Sequence, residues 1–284
     1  MPPSSRRAAS PARPGRAAEP EEVNMLAPDG RPRWIGLVGL CLLVAGLALV
    51  AGAGWGARVA GQTAAAVYPD LRTLGPSDLR FDTVAMADGP HSVLRLSNTV
   101  ANLGQGPLEL VGELQPNQTV KVTQNIYGAD GRLVAQHLVG YFEYHPEHGH
   151  WHYRDFAWYQ LYTATNGQLG QALTEKKGVK TGFCLVDTVR VQRLSGTPRS
   201  PVYTQCGISR QGISVGWGDV YQSTLPEQWI DLGLVVPGQP PLPDGDYAVV
   251  STADPFHKLW ESNTGNNTGV TFFRVKDGRI RALK

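Results

Sequence analysis

From about residue 67 onward, apolar residues recur at every second position in short runs closed by turn residues. Val93–Ser97, Leu108–Val111, Thr119–Thr123, Asp246–Val250 and Val270–Val275 all show this pattern. Side chains alternate between the two faces of a strand, so a period of two in β-branched and aromatic residues specifies half-buried strands. Asp130-Gly131, Asp244-Gly245 and Asp277-Gly278 supply turn signals. No stretch of the body sustains an apolar period of 3.6, which argues against a parallel α/β architecture. The expectation is an all-β domain over residues 67–284, with a β-sandwich core and long ordered loops. Residues 188–226 and 233–245 are rich in Gly, Pro and Ser and are expected to be those loops, where functional groups tend to sit.

The first 66 residues obey different rules. Residues 1–33 are Pro-, Ala- and Arg-rich with almost no large apolar side chains, so they predict a disordered head. Ile35–Gly54 then runs for 20 residues without a charge, bracketed by Trp34 and Trp55. That is long enough to cross a bilayer as one helix, with aromatic anchors at both interfaces. Residues 34–56 are therefore expected to form a transmembrane signal-anchor, with residues 57–66 as a linker. Six Arg precede the span, which orients the N-terminus to the cytoplasm and the body outside. A cleaved signal peptide ending near Ala64-Ala65-Ala66 and a buried core helix are the alternatives. Arg6-Arg7 lies too far from the apolar run for a twin-arginine signal.

The formal net charge of +2 sits entirely on that head, which holds six Arg against four acids. The balanced body has no basic excess for nucleic acid and no strong field to steer a cationic substrate. Of the three cysteines, Cys41 falls in the apolar span. Cys184 and Cys206 are an even pair, fitting one disulfide in an oxidising compartment or, alternatively, two reduced core thiols.

The densest chemistry lies in His145-Pro146-Glu147-His148-Gly149-His150-Trp151-His152. On a continuous strand, His148, His150 and His152 would point to one face. Three neutral imidazoles form a site for Cu, Zn, Ni or Fe with a coordination position left open, and intrinsic affinity favours Cu(II). An exposed His-rich strand edge is the alternative. His145 is out of phase with the three and is read as a supporting or structural residue.

Four blocks, in order, resemble the lysyl oxidase family, the copper-dependent protein-lysine oxidases. The histidine run is similar to the family's W-H-x-C-H-x-H-x-H strand. Lys180-Thr181-Gly182-Phe183-Cys184-Leu185-Val186-Asp187-Thr188 is similar to K-A-S-F-C-L-E-D-T. Gln211–Tyr221 with Gln228-Trp229-Ile230-Asp231 is similar to Q-G-L-S-P-G-C-Y-D-T-Y and Q-W-I-D. Glu261-Ser262-Asn263-Thr264-Gly265-Asn266-Asn267 is similar to E-S-D-Y-T-N-N. Together they cover nearly the whole body. The resemblance implies copper(II) on His148, His150 and His152. It also implies a lysine tyrosylquinone built from Lys180 and Tyr221. The reaction it implies is oxidation of primary amines, peptidyl lysine among them, to aldehydes by molecular oxygen, with release of ammonia and hydrogen peroxide. The cofactor is the electron sink, and the protein contributes orientation and a base.

Asp219, two residues before Tyr221, shares its side if that segment is extended, and is the first candidate base. Asp155 is the second, or a hydrogen-bond partner for an imidazole. In the fourth block, Glu261, Asn263, Asn266 and Asn267 gather hard oxygens suited to Ca2+. The family pairs this block with an Asp-Leu near the domain start, here Asp70 and the Leu71 carbonyl. A plain Asn/Gly turn is the alternative. Glu147 and Trp217 occupy positions where Cys-rich vertebrate members have cysteine, and the family's partners for Cys184 and Cys206 are absent. A Cys184–Cys206 bond is thus an expectation for this chain alone. The membrane span and the composition of the head are similar to a bacterial-type member. Two other classes are weighed against the oxidase: a non-catalytic metal-binding module for adhesion or metal handling, and a zinc hydrolase. The hydrolase lacks a dedicated base motif such as H-E-x-x-H.

Overall fold

The structure is a computed structural model. It describes residues 64–283, with 147, 148 and 181 excepted and Lys177 described by its backbone alone. The expected head and transmembrane span, most of the expected linker, Cys41 and His148 lie outside the described residues. Among the described residues no helix is long and apolar enough to cross a membrane.

The expected all-β domain is present. Its strands, in chain order, are β1 (Ala66–Val67), β2 (Leu71–Thr73), β3 (Ser77–Met86), β4 (Gly89–Asn102), β5 (Leu108–Leu114) and β6 (Val120–Gly128). There follow β7 (Leu133–His145), β8 (His150–Tyr153), β9 (Ala157–Thr165), β10 (Gln168–Lys177), β11 (Val189–Arg190) and β12 (Gln211–Ile213). The last are β13 (Trp217–Tyr221), β14 (Trp229–Leu234), β15 (Gly245–Ala253), β16 (Thr268–Lys276) and β17 (Arg279–Ala282). The five alternating runs lie largely within β4, β5, β6, β15 and β16. Asp277 and Gly278 both take positive φ, 51° and 68°, as a tight turn between β16 and β17 requires.

Among the described residues the strands form three antiparallel sheets around one core, where a two-sheet sandwich was expected. One sheet runs β12-β5-β6-β7-β8, with β1 also on β6; a second runs β10-β9-β15-β16-β17. The third is organised by β4, 14 residues long. Its N-terminal half pairs with β3 and β14, and its C-terminal half with β2 and β13. β4 is paired on both edges and also buried on both faces, with Leu94, Leu96 and Val100 on one and Val93 and Ala101 on the other. Ala66 already pairs with Gly128, so the domain begins inside the stretch read as linker.

The loops read as strand-poor carry three short strands: β11, β12 and β13. Their order rests largely on buried polar side chains that bond backbone. Asp187 accepts from Val202 N, Ser214 N and Ser214 Oγ, each within 2.8 Å. Asn102 donates to Gly106 O and Ile213 O at 2.9 Å each and accepts from Asp70 N at 3.1 Å. Backbone groups that no strand partner reaches are thereby satisfied inside the domain, where an unpaired group is costly.

Candidate active site

The histidine segment departs from a single strand. Gly149 has φ +67° and its amide bonds His145 O at 2.9 Å, so a turn follows β7 and the described strand begins only at His150. The one-face alternation is seen for His150 and His152; His148 lies outside the described residues. The hairpin register instead pairs His145 with His150 and Glu143 with His152. Paired residues share a face, so His145 joins the cluster despite its odd spacing. Its ring centroid lies 4.2 Å from that of His152. Gly182 packs against both: a Cβ there would sit 3.2 Å from His152 Cβ and 3.6 Å from His145 Nε2.

His150 Nε2 and His152 Nε2 are 2.8 Å apart. Ligand atoms about 2.0–2.1 Å from one metal ion lie roughly 2.8–3.4 Å from each other, so two imidazoles aimed at one point fit a shared copper or zinc ion. Among the described residues no third His, Cys, Asp or Glu completes a metal-binding group. The third expected ligand, His148, is outside them.

These two imidazoles face a cavity of about 180 Å³ whose other walls include Lys180, Asp219, Tyr221 and the Cys184–Cys206 pair, with Val186, Val220 and Leu225 as apolar lining. Blocks far apart in sequence thus meet at one place. Lys180 reaches it because Gly178 bridges to Ile230 and Val179 N bonds Trp229 O at 3.2 Å. Its side chain is buried, and desolvation lowers its pKa against a weaker opposing pull from Glu227. Lys180 Nζ lies 5.5 Å from the centre of the Tyr221 ring.

Tyr221 ends β13, held to β4 opposite Asn98. Phe183 packs edge-on to it at 4.7 Å between centroids, with Tyr159 and Phe156 behind Phe183. Its hydroxyl accepts from Cys184 N at 2.6 Å and donates to Cys184 O at 2.9 Å. Burial, then the Asp219 carboxyl, raises its pKa well above the ordinary phenol value. Asp219 is in an extended segment, as its candidate role requires. It is 3% exposed, and neither carboxyl oxygen makes a hydrogen bond of normal geometry. The nearby Val186 and Val220 amides offset burial only partly, and the pKa is driven well above the usual carboxylate range.

Asp155, the second candidate, pairs through Oδ2 with Lys258 at 2.9 Å. It has φ +61°. The disulfide is present: Cys184 and Cys206 are bonded, with Cα atoms 5.3 Å apart. Sequence reasoning missed Gln211, which is fully buried. It donates to Trp151 O at 2.9 Å and accepts from Leu185 N at 3.0 Å, joining the histidine strand to the Lys180 block. Its only signal was its place at the head of the third block.

The fourth block folds as expected against the domain start. Leu71 N donates to Glu261 Oε2 at 2.9 Å, Asn267 Nδ2 to Glu261 Oε1 at 2.7 Å, and Asn266 Nδ2 to Asp70 Oδ1 at 2.9 Å. The amide oxygens of Asn266 and Asn267 are buried without a hydrogen-bond partner. Burial, reinforced by Asp254 and Asp70, pushes the Glu261 pKa up to about 7. Crowded carboxylates and orphaned amide oxygens fit a hard cation such as Ca2+. Leu71 meets the cluster through its N–H, and Asn263 Oδ1 caps the Thr264–Asn266 turn by accepting from Gly265 N at 3.0 Å.

A larger open groove of about 770 Å³ lies among Val67, Gly104, Tyr127, Gly196 and Tyr203, with Glu109 lining it. That carboxylate is already engaged by Asn125 at 2.8 Å, by the Tyr203 hydroxyl at 3.0 Å and by the Tyr127 hydroxyl. Volume therefore does not locate the chemistry; the convergence of side chains does.

The fold and this cavity define a class: an all-β domain that brings imidazoles, a buried lysine and a buried tyrosine together. A sequence profile of the lysyl oxidase family matches residues 117–283, more than half of the chain and all of the cavity residues, and the chain belongs to that family. Zebrafish (Danio rerio) lysyl oxidase homolog 3B is 31% identical over 125 residues, 44% of this chain and 13% of the relative. Human lysyl oxidase homolog 3 is 30% identical over the same length, 14% of that protein. Bovine (Bos taurus) lysyl oxidase homolog 4 is 26% identical over 217 residues, 75% of this chain and 26% of the relative. The matched part is thus a minor fraction of each relative.

Proposed function

We infer that this protein is a copper-dependent amine oxidase of lysyl oxidase type. It converts primary amines, including protein lysines, to aldehydes with molecular oxygen and releases ammonia and hydrogen peroxide. One observation carries the reading: Lys180 and Tyr221 share a small cavity with His150 and His152 in a chain of this family. The domain acts outside the cytoplasm as a bacterial-type protein held by the apolar segment at 34–56, and the Cys184–Cys206 bond fits that compartment.

Copper(II) and a quinone made from Tyr221 and Lys180, when present, would supply oxygen activation and an electron sink. His148, His150 and His152 would hold the metal. The chain's own side chains do the rest. Burial favours Lys180 as a neutral amine, which frees its nitrogen lone pair for bonding to the ring beside it. Cys184 fixes the Tyr221 hydroxyl from both sides, so the ring keeps one orientation toward Lys180. Burial raises the Asp219 pKa, which makes its carboxylate a stronger base for accepting a proton and returning it within one turnover. Val186, Val220 and Leu225 exclude water from the reacting centre. Ca2+ would be held by side-chain oxygens of Asp70, Glu261, Asn263, Asn266 and Asn267 with the Leu71 carbonyl, and would brace the domain start.

The test is treatment of the copper-loaded full chain with phenylhydrazine, followed by peptide mass mapping. A coloured adduct on one crosslinked Lys180–Tyr221 species supports the oxidase. Two separate, unmodified peptides, together with amine-dependent peroxide production that survives Tyr221→Phe, overturn it and favour a metal-binding module.

A further inference from the structure

The Cys184–Cys206 disulfide has a place in the site that no family block specifies, since the family's usual partners for both cysteines are missing. Its two ends touch different parts of the site. At one end, Cys184 holds the Tyr221 hydroxyl through both its N–H, at 2.6 Å, and its carbonyl, at 2.9 Å. At the other, the Cys206 carbonyl accepts from Trp151 N at 3.0 Å, and Trp151 is the residue between His150 and His152. The bond itself lines the cavity. A continuous path therefore runs from the imidazole strand through Trp151, Cys206 and Cys184 to the phenol.

Without the bond, Cys206 has few other ties. It sits in an irregular stretch before β12; the Cys184 segment is tied to the imidazole strand also by the Tyr153–Phe183 backbone pair, at 2.7 and 3.0 Å, and by Gln211. Tyr221 would stay on β13 and Phe183 on Tyr153, but the peptide that seats the hydroxyl would lose the one covalent tie that acts at Cys184 itself.

We propose that the Cys184–Cys206 disulfide is a positioning element of the active site, fixing the Tyr221 ring relative to His150 and His152. The proposal rests on the amine oxidase reading for its purpose, but not for its test. Holding reacting groups at one separation is worth large factors in rate, and a misplacement of about 1 Å can cost about a hundredfold.

The experiment compares the full chain with C184A/C206A, first metal-free, so that Tyr221 remains a phenol. Tetranitromethane nitration is followed by peptide mass. Tyr141 and Tyr144, both exposed, report reagent activity; Tyr153 and Tyr159, buried in the core, report global loosening. The expected result is a rise of about tenfold or more in Tyr221 nitration with Tyr153 and Tyr159 unchanged. On copper loading in air, the yield of crosslinked Lys180–Tyr221 peptide falls by a similar factor while copper binding is retained. Unchanged Tyr221 nitration, or an equal rise at Tyr153 and Tyr159, overturns the proposal. If the parent forms no crosslink yet Tyr221 alone is released in the variant, the positioning role stands and the oxidase reading fails. Should C184A/C206A not fold, mild phosphine reduction of the folded parent keeps both side chains in place and gives the same comparison.

Discussion

The two candidate sites handle buried polarity in opposite ways. Around Glu261 the polar groups largely satisfy one another: two asparagine amides and a backbone N–H occupy the carboxylates of Glu261 and Asp70, leaving only amide oxygens open. In the Lys180–Tyr221 cavity the polar groups are set apart by valines and aromatic rings. Asp219 has no hydrogen bond of normal geometry, Lys180 is desolvated, and the two imidazole Nε2 atoms face each other. The first arrangement holds its shape before any ion arrives. The second keeps Asp219 and Lys180 poorly compensated, a cost in stability that accompanies shifted pKa values and chemistry.

The largest effect expected from this contrast is in the cavity. Tyr221→Phe reduces amine-dependent peroxide production to background. It also leaves Cys184 N without its acceptor, lowering stability by about 1–3 kcal/mol in denaturant titration. Copper binding is retained in that variant.

Asp219→Asn separates activity from stability. Loss of the base lowers kcat by about 10²–10⁴-fold. Stability moves the other way. The folded pKa of Asp219 is raised by burial, so the parent is unpenalised below the unfolded carboxylate value of about 4. It then loses stability as pH rises toward the folded value. The asparagine variant lacks that decline, and melting curves between pH 4 and 8 show the difference. A variant that melts lower than the parent at pH 8 breaks the comparison.

The oxygen cluster responds to ions more than to substitution. At pH 7.5, calcium at about a hundredfold its Kd raises the Tm by about 5–10 °C. At pH 5 the gain shrinks, because Glu261, with its pKa pushed up to about 7, is protonated and a poor ligand. Chelation leaves the domain folded, because the internal hydrogen bonds persist. The smallest effect is at Asn263→Ala, which removes the cap on Gly265 N and costs about 1 kcal/mol by calorimetry.

Much of this was legible in the sequence where information is local. Alternation revealed the long strands, and the four blocks named the residues of both sites. What escaped depends on pairing between distant segments. His145 looked out of phase, since parity was counted along one strand; the turn at Gly149 breaks that count, and the hairpin register returns His145 to the same face. The short strands β11 to β13 were hidden because two to five residues cannot display a period. They are held by Asn102, Asp187 and Gln211, whose amide and carboxylate groups bond backbone that carries no pattern of its own. The Lys258 partner of Asp155, 103 residues further along the chain, carried no sequence signal either.

The long strand β4 links the two sites in another respect. Asn102 lies opposite Leu71 at the oxygen cluster, and Asn98 opposite Tyr221 at the cavity, about 13 Å apart along one strand. With neighbours along both edges, its amides exchange with solvent only when the whole domain opens. In deuterium exchange it is the slowest segment, and the protection of its last five residues gives a single clock against which loosening at either site is timed.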